Sequence, residues 1–310
     1  MASYVYPAPP VQVGEDLTTI QIHSLMKSPA ALARRVRTLA EHKFIADYLL
    51  QGRYIAQGGA ILYETGESIF PNEEAPERIA PGGAFPAGTL PEGGLATAKV
   101  TKWGRDYPVT DEAISRFLRD PVDKALRKGV NGMVRFVDSV ALSVIASKVT
   151  STYAATGAWT SGLKVVEDVL LAKATHEQAN IGEGFNLSVV VLSPIQHAKV
   201  IAALIKENVL PREAGNPVAN GEPTFPNALG LKWVTSPYCP FANPLLVDVD
   251  ELGGMADEKI DSPGYGGADG IEVKSIRDDD HEMYRVRTRR VTVPVVREPK
   301  AALQITGTGI

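Results

Sequence analysis

Hydrophobic positions along this chain change their period several times, and each change predicts an element. From Asp120 to about Lys148, Val122, Leu126, Val130, Met133, Val137, Val140 and Val144 recur at spacings of four and three, the stripe of an amphipathic helix. Such a helix is roughly 42 Å long, well above the usual length, and predicts a structural spine. Thr110 and Asp111 are candidate caps for a shorter helical stretch before it. Upstream, Met1 to Ser28 reads as an extended arm, since Pro7, Pro9 and Pro10 block helix and few residues could form a core. Ser28-Pro29 opens a predicted helix to about Leu50. Between Gly52 and Val109 no helical period survives. Tyr54, Ile55, Ile61, Leu62, Tyr63, Ile69 and Phe70 suggest one strand-forming limb, and Val100, Trp103, Tyr107 and Val109 the other. A two-stranded excursion of this kind is marginal by itself and predicts a partner elsewhere.

Beyond Ser161 the order is helix, strand, helix: Val165, Val166, Val169 and Leu170 share a face, Leu187 to Leu192 is an apolar run, and Ser193-Pro194 caps a helix to about Glu207. Leu231 to Val234 and Leu245 to Val249 read as buried strands. Ile271 to Ile276, an Asp278-Asp279-Asp280 turn and Met283 to Val296 supply the closing strands of an α+β fold.

Composition narrows the function. A 310-residue chain with 44% hydrophobic residues can bury a substantial core. Its net charge of -4 argues against a broad basic face for nucleic acid, so any DNA contact is expected to be weak. The single cysteine, Cys239, permits no intramolecular disulfide and suits a reducing compartment. The first residues lack a signal-peptide pattern, and no window holds about 18 uninterrupted apolar residues. Catalytic motifs fail on inspection. His176 and His281 each precede a glutamate, but Asn180 and Arg285 stand where a zinc protease needs its second histidine. Gly264, Gly266, Gly267 and Gly270 miss a dinucleotide loop, because Asp269 replaces a glycine and a strand follows. The three aspartates at 278–280 read as a solvated turn. Neither a cofactor, a metal nor an enzymatic activity is expected.

The wording of several segments points further. Glu77-Arg78-Ile79-Ala80-Pro81-Gly82-Gly83-Ala84-Phe85-Pro86, Lys102-Trp103-Gly104 and Val109-Thr110-Asp111-Glu112 resemble the extended loop of the Hong Kong ninety-seven type of tailed-bacteriophage capsid protein and its return into a spine helix. Gly230 to Pro237, Leu246-Val247-Asp248 and Gly253-Gly254-Met255-Ala256 resemble that family's axial strands, and Thr288 to Val295 its closing peripheral strand. Among versions of that family, the wording most resembles those of actinobacterial siphoviruses. The resemblance implies an N-terminal arm and short helix (1–51), an extended β-hairpin loop (52–110), a peripheral-domain spine helix (111–150), an axial domain (151–275) and returning peripheral strands (276–310).

It implies a non-enzymatic subunit that assembles with itself into pentamers and hexamers of an icosahedral head around double-stranded DNA, in the host cytoplasm and then the virion. A separate scaffolding protein, a portal protein and an optional decoration protein are the implied partners. The scaffold is expected as a separate chain because the only helix before the hairpin is short and the sequence starts at Met1. Intersubunit contact candidates are Glu77, Arg78, Pro81, Phe85, Pro91, Lys99, Lys102, Trp103, Arg105, Arg287 and Arg289. Deleting the tip from Pro81 to Pro91 is expected to abolish shells and spare the subunit. The family's founding member crosslinks a loop lysine to a neighbour's asparagine; here Lys99 and Lys102 are available, but no asparagine follows Asn243. Rival readings are an encapsulin-like nanocompartment of the same fold and, less favoured, an enzyme with an unrecognised site.

Overall fold

The computed structural model describes residues 18–39, 44–66, 78–79, 81–85, 93–180, 184–206, 229–268 and 270–310. The helices are α1 (Thr19–Lys27), α2 (Pro29–Leu39), α3 (Ile45–Leu49), α4 (Asp111–Phe117), α5 (Asp120–Lys148), α6 (Gly162–Ala179) and α7 (Pro194–Lys206). The strands are β1 (Gly52–Ile55), β2 (Ala60–Thr65), β3 (Gly94–Lys99), β4 (Thr101–Thr110), β5 (Thr152–Ala154), β6 (Val189–Leu192), β7 (Lys232–Thr235), β8 (Leu245–Val247), β9 (Gly253–Asp257), β10 (Gly266–Ala268), β11 (Ile271–Asp278), β12 (Met283–Val296) and β13 (Ala302–Thr306). They form two compact units, one from the described residues up to 39 with 101–136 and 259–292, the other from 44–100, 137–258 and 293–310.

In the first unit β4, β12, β11 and β10 make an antiparallel sheet, and α5 lies against one of its faces. The approach is close because residue 129 is glycine: a Cβ there would sit 2.6 Å from the Thr288 methyl. The expected stripe is inside, with Val122, Leu126, Val130 and Met133 buried. By length and composition α5 could cross a bilayer, yet half of its most apolar window is buried in the protein. A sharp break separates α4 from α5 at Leu118, where φ is 51°. Thr110 caps α4, its hydroxyl accepting from the Ala113 amide at 3.3 Å. Helix begins earlier than expected. Residues 19–27 are helical, with Ile22 and Met26 buried one turn apart, and the Gln21 side chain accepts from the Thr18 amide at 2.9 Å.

The second unit is built on a five-stranded mixed sheet in the order β5-β13-β8-β6-β7. Trp159, Val165, Val169, Leu187, Val190, Leu192, Val200, Trp233, Leu246 and Ile305 share its core with α6 and α7. β6 and β7 are parallel and joined through α7, a connection that antiparallel pairing would not need. Here the structure differs from the expectation in two places. β13 belongs to this sheet, beside β8 and β5, and not to the peripheral strands. The single helix expected from Ser28 to Leu50 is divided into α2 and α3; residues 40–43 lie outside the described ones, and α3 starts on the carboxylate of buried Asp138, which accepts from the Ala46 amide at 2.9 Å.

The expected hairpin of 52–110 also resolves into three parts. β1 pairs in parallel with β9, where Gly52 and Gly254 face each other so closely that a Cβ on Gly254 would lie 2.1 Å from the Gly52 carbonyl oxygen. β2 and β3 form a ribbon of their own. β4 joins β12 over ten register positions from Thr110 opposite Met283 to Thr101 opposite Thr292.

Candidate subunit interface

The ribbon β2–β3 bonds only to itself among the described strands, so both outer edges present unpaired backbone groups. It is anchored at its two ends. The Gly59 amide donates to Glu258 at 3.1 Å, and the Gly66 amide donates to the Arg297 carbonyl at 3.3 Å. Register places Leu62 opposite Thr97 and Glu64 opposite Leu95, so Leu62 and Leu95 share one face. That face is open: Leu62 is 63% exposed and Leu95 73%. Beyond the ribbon, Phe85 is 85% exposed, and Arg78 and Pro81 are exposed beside it in sequence. Large apolar side chains in water on an unpaired ribbon form an adhesive surface and contribute little to the subunit's own core.

The remaining sequence candidates fall into different situations. Glu77 and Pro91 lie outside the described residues. Lys99 ends β3, while Lys102 and Arg105 project from β4, all exposed. Trp103 is half-buried against Phe136, ring centroids 4.5 Å apart, which makes it an anchor of β4 on α5. Arg287 grips Asp106 of β4 in a two-pronged pair at 2.7 Å, and this hydrogen-bonded pairing holds the Asp106 carboxyl below its ordinary range.

Arg289 is buried in its own subunit, with 3% of its side chain exposed. It pairs with Glu272, donates to the Ile260 carbonyl at 3.0 Å, and stacks 3.6 Å from the Tyr265 ring centre. Its guanidinium is committed internally. The alternating Arg285, Arg287 and Arg289 could be read from sequence; the acids that hold them, on β4 and β11, could not, because strand register sets those pairs.

Catalytic chemistry has little to start from. Among the described residues no group of three or more His, Cys, Asp or Glu could hold a metal. His176 is buried and stacked on Phe185, and His281 bonds to Asp278 at 3.1 Å. Cys239 is partly buried, which pushes its thiol pKa up and away from thiolate reactivity.

A family model described as phage capsid protein matches residues 94–305. The chain belongs to this phage capsid protein family. No curated protein sequence matches it. Solved structures show where the fold recurs. A capsid structure of the cyanophage P-SCSP1u is 12% identical with a TM-score of 0.56, covering 85% of this chain and 88% of its own. A structure from Mycobacterium phage Che8 is 16% identical with a TM-score of 0.54, covering 86% and 93%. The SrpI encapsulin of Synechococcus elongatus is 13% identical with a TM-score of 0.50, covering 83% and 84%. The fold is the Hong Kong ninety-seven capsid type, and family and fold together make this a shell-forming structural protein of the tailed-phage kind.

Proposed function

We propose that this chain is the major capsid protein that forms the pentamers and hexamers of an icosahedral phage head enclosing double-stranded DNA, with no enzymatic role. The β2–β3 ribbon carries this reading: its unpaired edges and the exposed Leu62 and Leu95 offer an apolar, strand-pairing surface for a neighbouring copy to cover. A ring of copies supplies that surface, because a head-to-tail contact closes by rotation and gives each ribbon the next subunit to lie on. Glu77, Arg78, Pro81, Phe85, Pro91, Lys99 and Lys102 are the residues we assign to such contacts. Assembly then takes place in the host cytoplasm with a separate scaffolding protein, a portal and, on some shells, a decoration protein. An encapsulin-like compartment would share the fold; the family match to phage capsid proteins favours the phage reading. Electron microscopy and sedimentation of the purified protein test it. Closed particles or capsomers are expected, and a compact monomer that persists at high concentration would overturn it.

A further inference from the structure

The exposed face of α5 carries a run of basic side chains. Lys124, Lys128, Asn131 and Arg135 follow one another at spacings of four, three and four, on the side of the helix opposite buried Leu126, Val130 and Met133. Arg127 flanks this stripe. It begins after Asp120, and no aspartate or glutamate occurs from Lys124 to Val137.

Strand β4 widens it. The Tyr107 hydroxyl donates to the Lys128 carbonyl at 3.2 Å, and Trp103 meets Phe136 at 4.5 Å. Arg105 lies between those two aromatic residues on the same strand face, whose Tyr107 hydroxyl reaches the helical turn at Gly132. Arg105, Lys124, Arg127 and Lys128 are all exposed, and among the described residues none of their side chains makes an ion pair. Of the flanking acids, Asp123 is engaged by Arg35 and Arg119 and Asp106 by Arg287, while exposed Asp120 stands one turn before Lys124, at the end of the stripe.

We propose that this face, formed by Lys124, Arg127, Lys128 and Arg105, is a docking surface for the phosphate backbone of double-stranded DNA. Unpartnered cations on a helix and the strand beside it, in a chain whose net charge is -4, are complementary to a polyanion. From Lys124 to Lys128 the helical cations span about 6 Å, and with Arg105 on the neighbouring strand they suit one or two successive phosphates of one strand. Lysines and arginines spread along one helix face suit phosphate contacts, so the contact is expected to be sequence-independent and to release counterions. The inference rests on the DNA-enclosing reading above, and it refines the expectation of weak contact drawn from net charge: the overall deficit hides a local excess.

Binding of a fluorescent 30-base-pair duplex to dissociated subunits, titrated over salt, tests the surface. The quadruple variant Arg105→Gln, Lys124→Gln, Arg127→Gln, Lys128→Gln is expected to bind more weakly, with the slope of log affinity against log salt shallower by about 1 per removed charge. Arg105→Gln alone, exposed on a strand, is the milder variant and should lose about 1 in slope. A control, Lys164→Gln with Lys199→Gln on α6 and α7, should leave affinity unchanged. Equal affinity and slope in the patch variants would overturn the proposal. So would loss of shells by micrograph with duplex affinity intact, which would assign the stripe to an acidic segment of a neighbouring copy. Shell formation itself is scored separately, so a subunit that never assembles fails the earlier reading and not this one.

Discussion

The indole Nε1 of Trp159 donates to Oδ2 of Asp168 at 2.8 Å, with both residues buried. Oδ1 of the same carboxylate accepts from the Thr156 amide at 2.9 Å and from the Thr156 hydroxyl at 2.8 Å, so one aspartate on α6 ties down the segment that follows β5. Asp168→Ala strands the buried Trp159 indole N–H and releases both Thr156 donors, and is expected to cost about 2 kcal/mol or more. Asp168→Asn fares little better, about 2 kcal/mol, since its amide NH2 must confront a donor in either orientation. Urea unfolding of dissociated subunits measures this, and an unchanged midpoint for Asp168→Ala would refute it.

Acid should loosen the first unit through two other aspartates. Arg277 grips Asp111 at 2.6 and 2.7 Å, and Arg287 grips Asp106, so hydrogen bonding to the guanidinium holds both carboxyls below their ordinary range. A carboxyl whose folded pKa is depressed contributes stability that is fully present above the unfolded value of about 4. That contribution is lost as pH falls through the folded pKa. The midpoint should therefore hold from pH 7 to about 4 and drop below it, with a shallower drop in Arg277→Gln, Arg287→Gln. An acid limb identical in the variant would show that other groups set it.

Much of this architecture was legible in the residues. The spacing of Val122, Leu126, Val130 and Met133 marks α5, and alternation from Met283 to Val296 marks β12 at its observed limits. The helix over Thr19–Lys27 was hidden by nearby prolines, although Ile22 and Met26 stand one turn apart. The passage from ribbon to sheet at Val100 was hidden for a different reason. Neither glycine nor proline punctuates Lys99 to Thr101, so β3 and β4 read as one limb, and only partner choice separates them. The parallel pairing of β1 with β9 is equally invisible locally, because it depends on Gly52 and Gly254 meeting across a long sequence separation. The interface candidates followed the same divide: exposure of Phe85 fits a loop residue, whereas burial of Arg289 follows from register.

Shells of this protein should be held without covalent crosslinks. Lys99 and Lys102 are exposed and could serve as the amine half of a lysine–asparagine bond. The strands β11, β12 and β13 contain no asparagine, so the acceptor half is missing there. Asp278 is a poor substitute. Its bond to His281 lowers its pKa and keeps it ionised, whereas attack by an amine needs the neutral acid. Particles boiled in detergent under reducing conditions should give one band near 33.2 kDa, and a ladder of multiples would contradict this.

The exposed face of the ribbon yields the sharpest separation between folding and assembly. Leu62 and Leu95 lie on one side of β2–β3, both largely in water, so neither contributes much to the stability of the isolated subunit. Replacing both with glutamate keeps the backbone pairing of Ala60 to Thr65 with Gly94 to Lys99 and places charge where a neighbour must pack. Strand propensity falls slightly and the glutamate at position 95 faces Glu64 across the pair, a combined loss of about 1 kcal/mol. At an interface the same change is far more costly, because each carboxylate would be buried without a partner and every ribbon in a ring repeats the fault. Leu62→Glu, Leu95→Glu is therefore expected to unfold within about 1 kcal/mol of the parent while yielding no closed particles. Leu62→Met, Leu95→Met, which preserves apolar volume, should assemble normally. Micrographs of both variants beside urea melts of their subunits decide the matter, and intact particles from the glutamate variant would remove the ribbon from the interface.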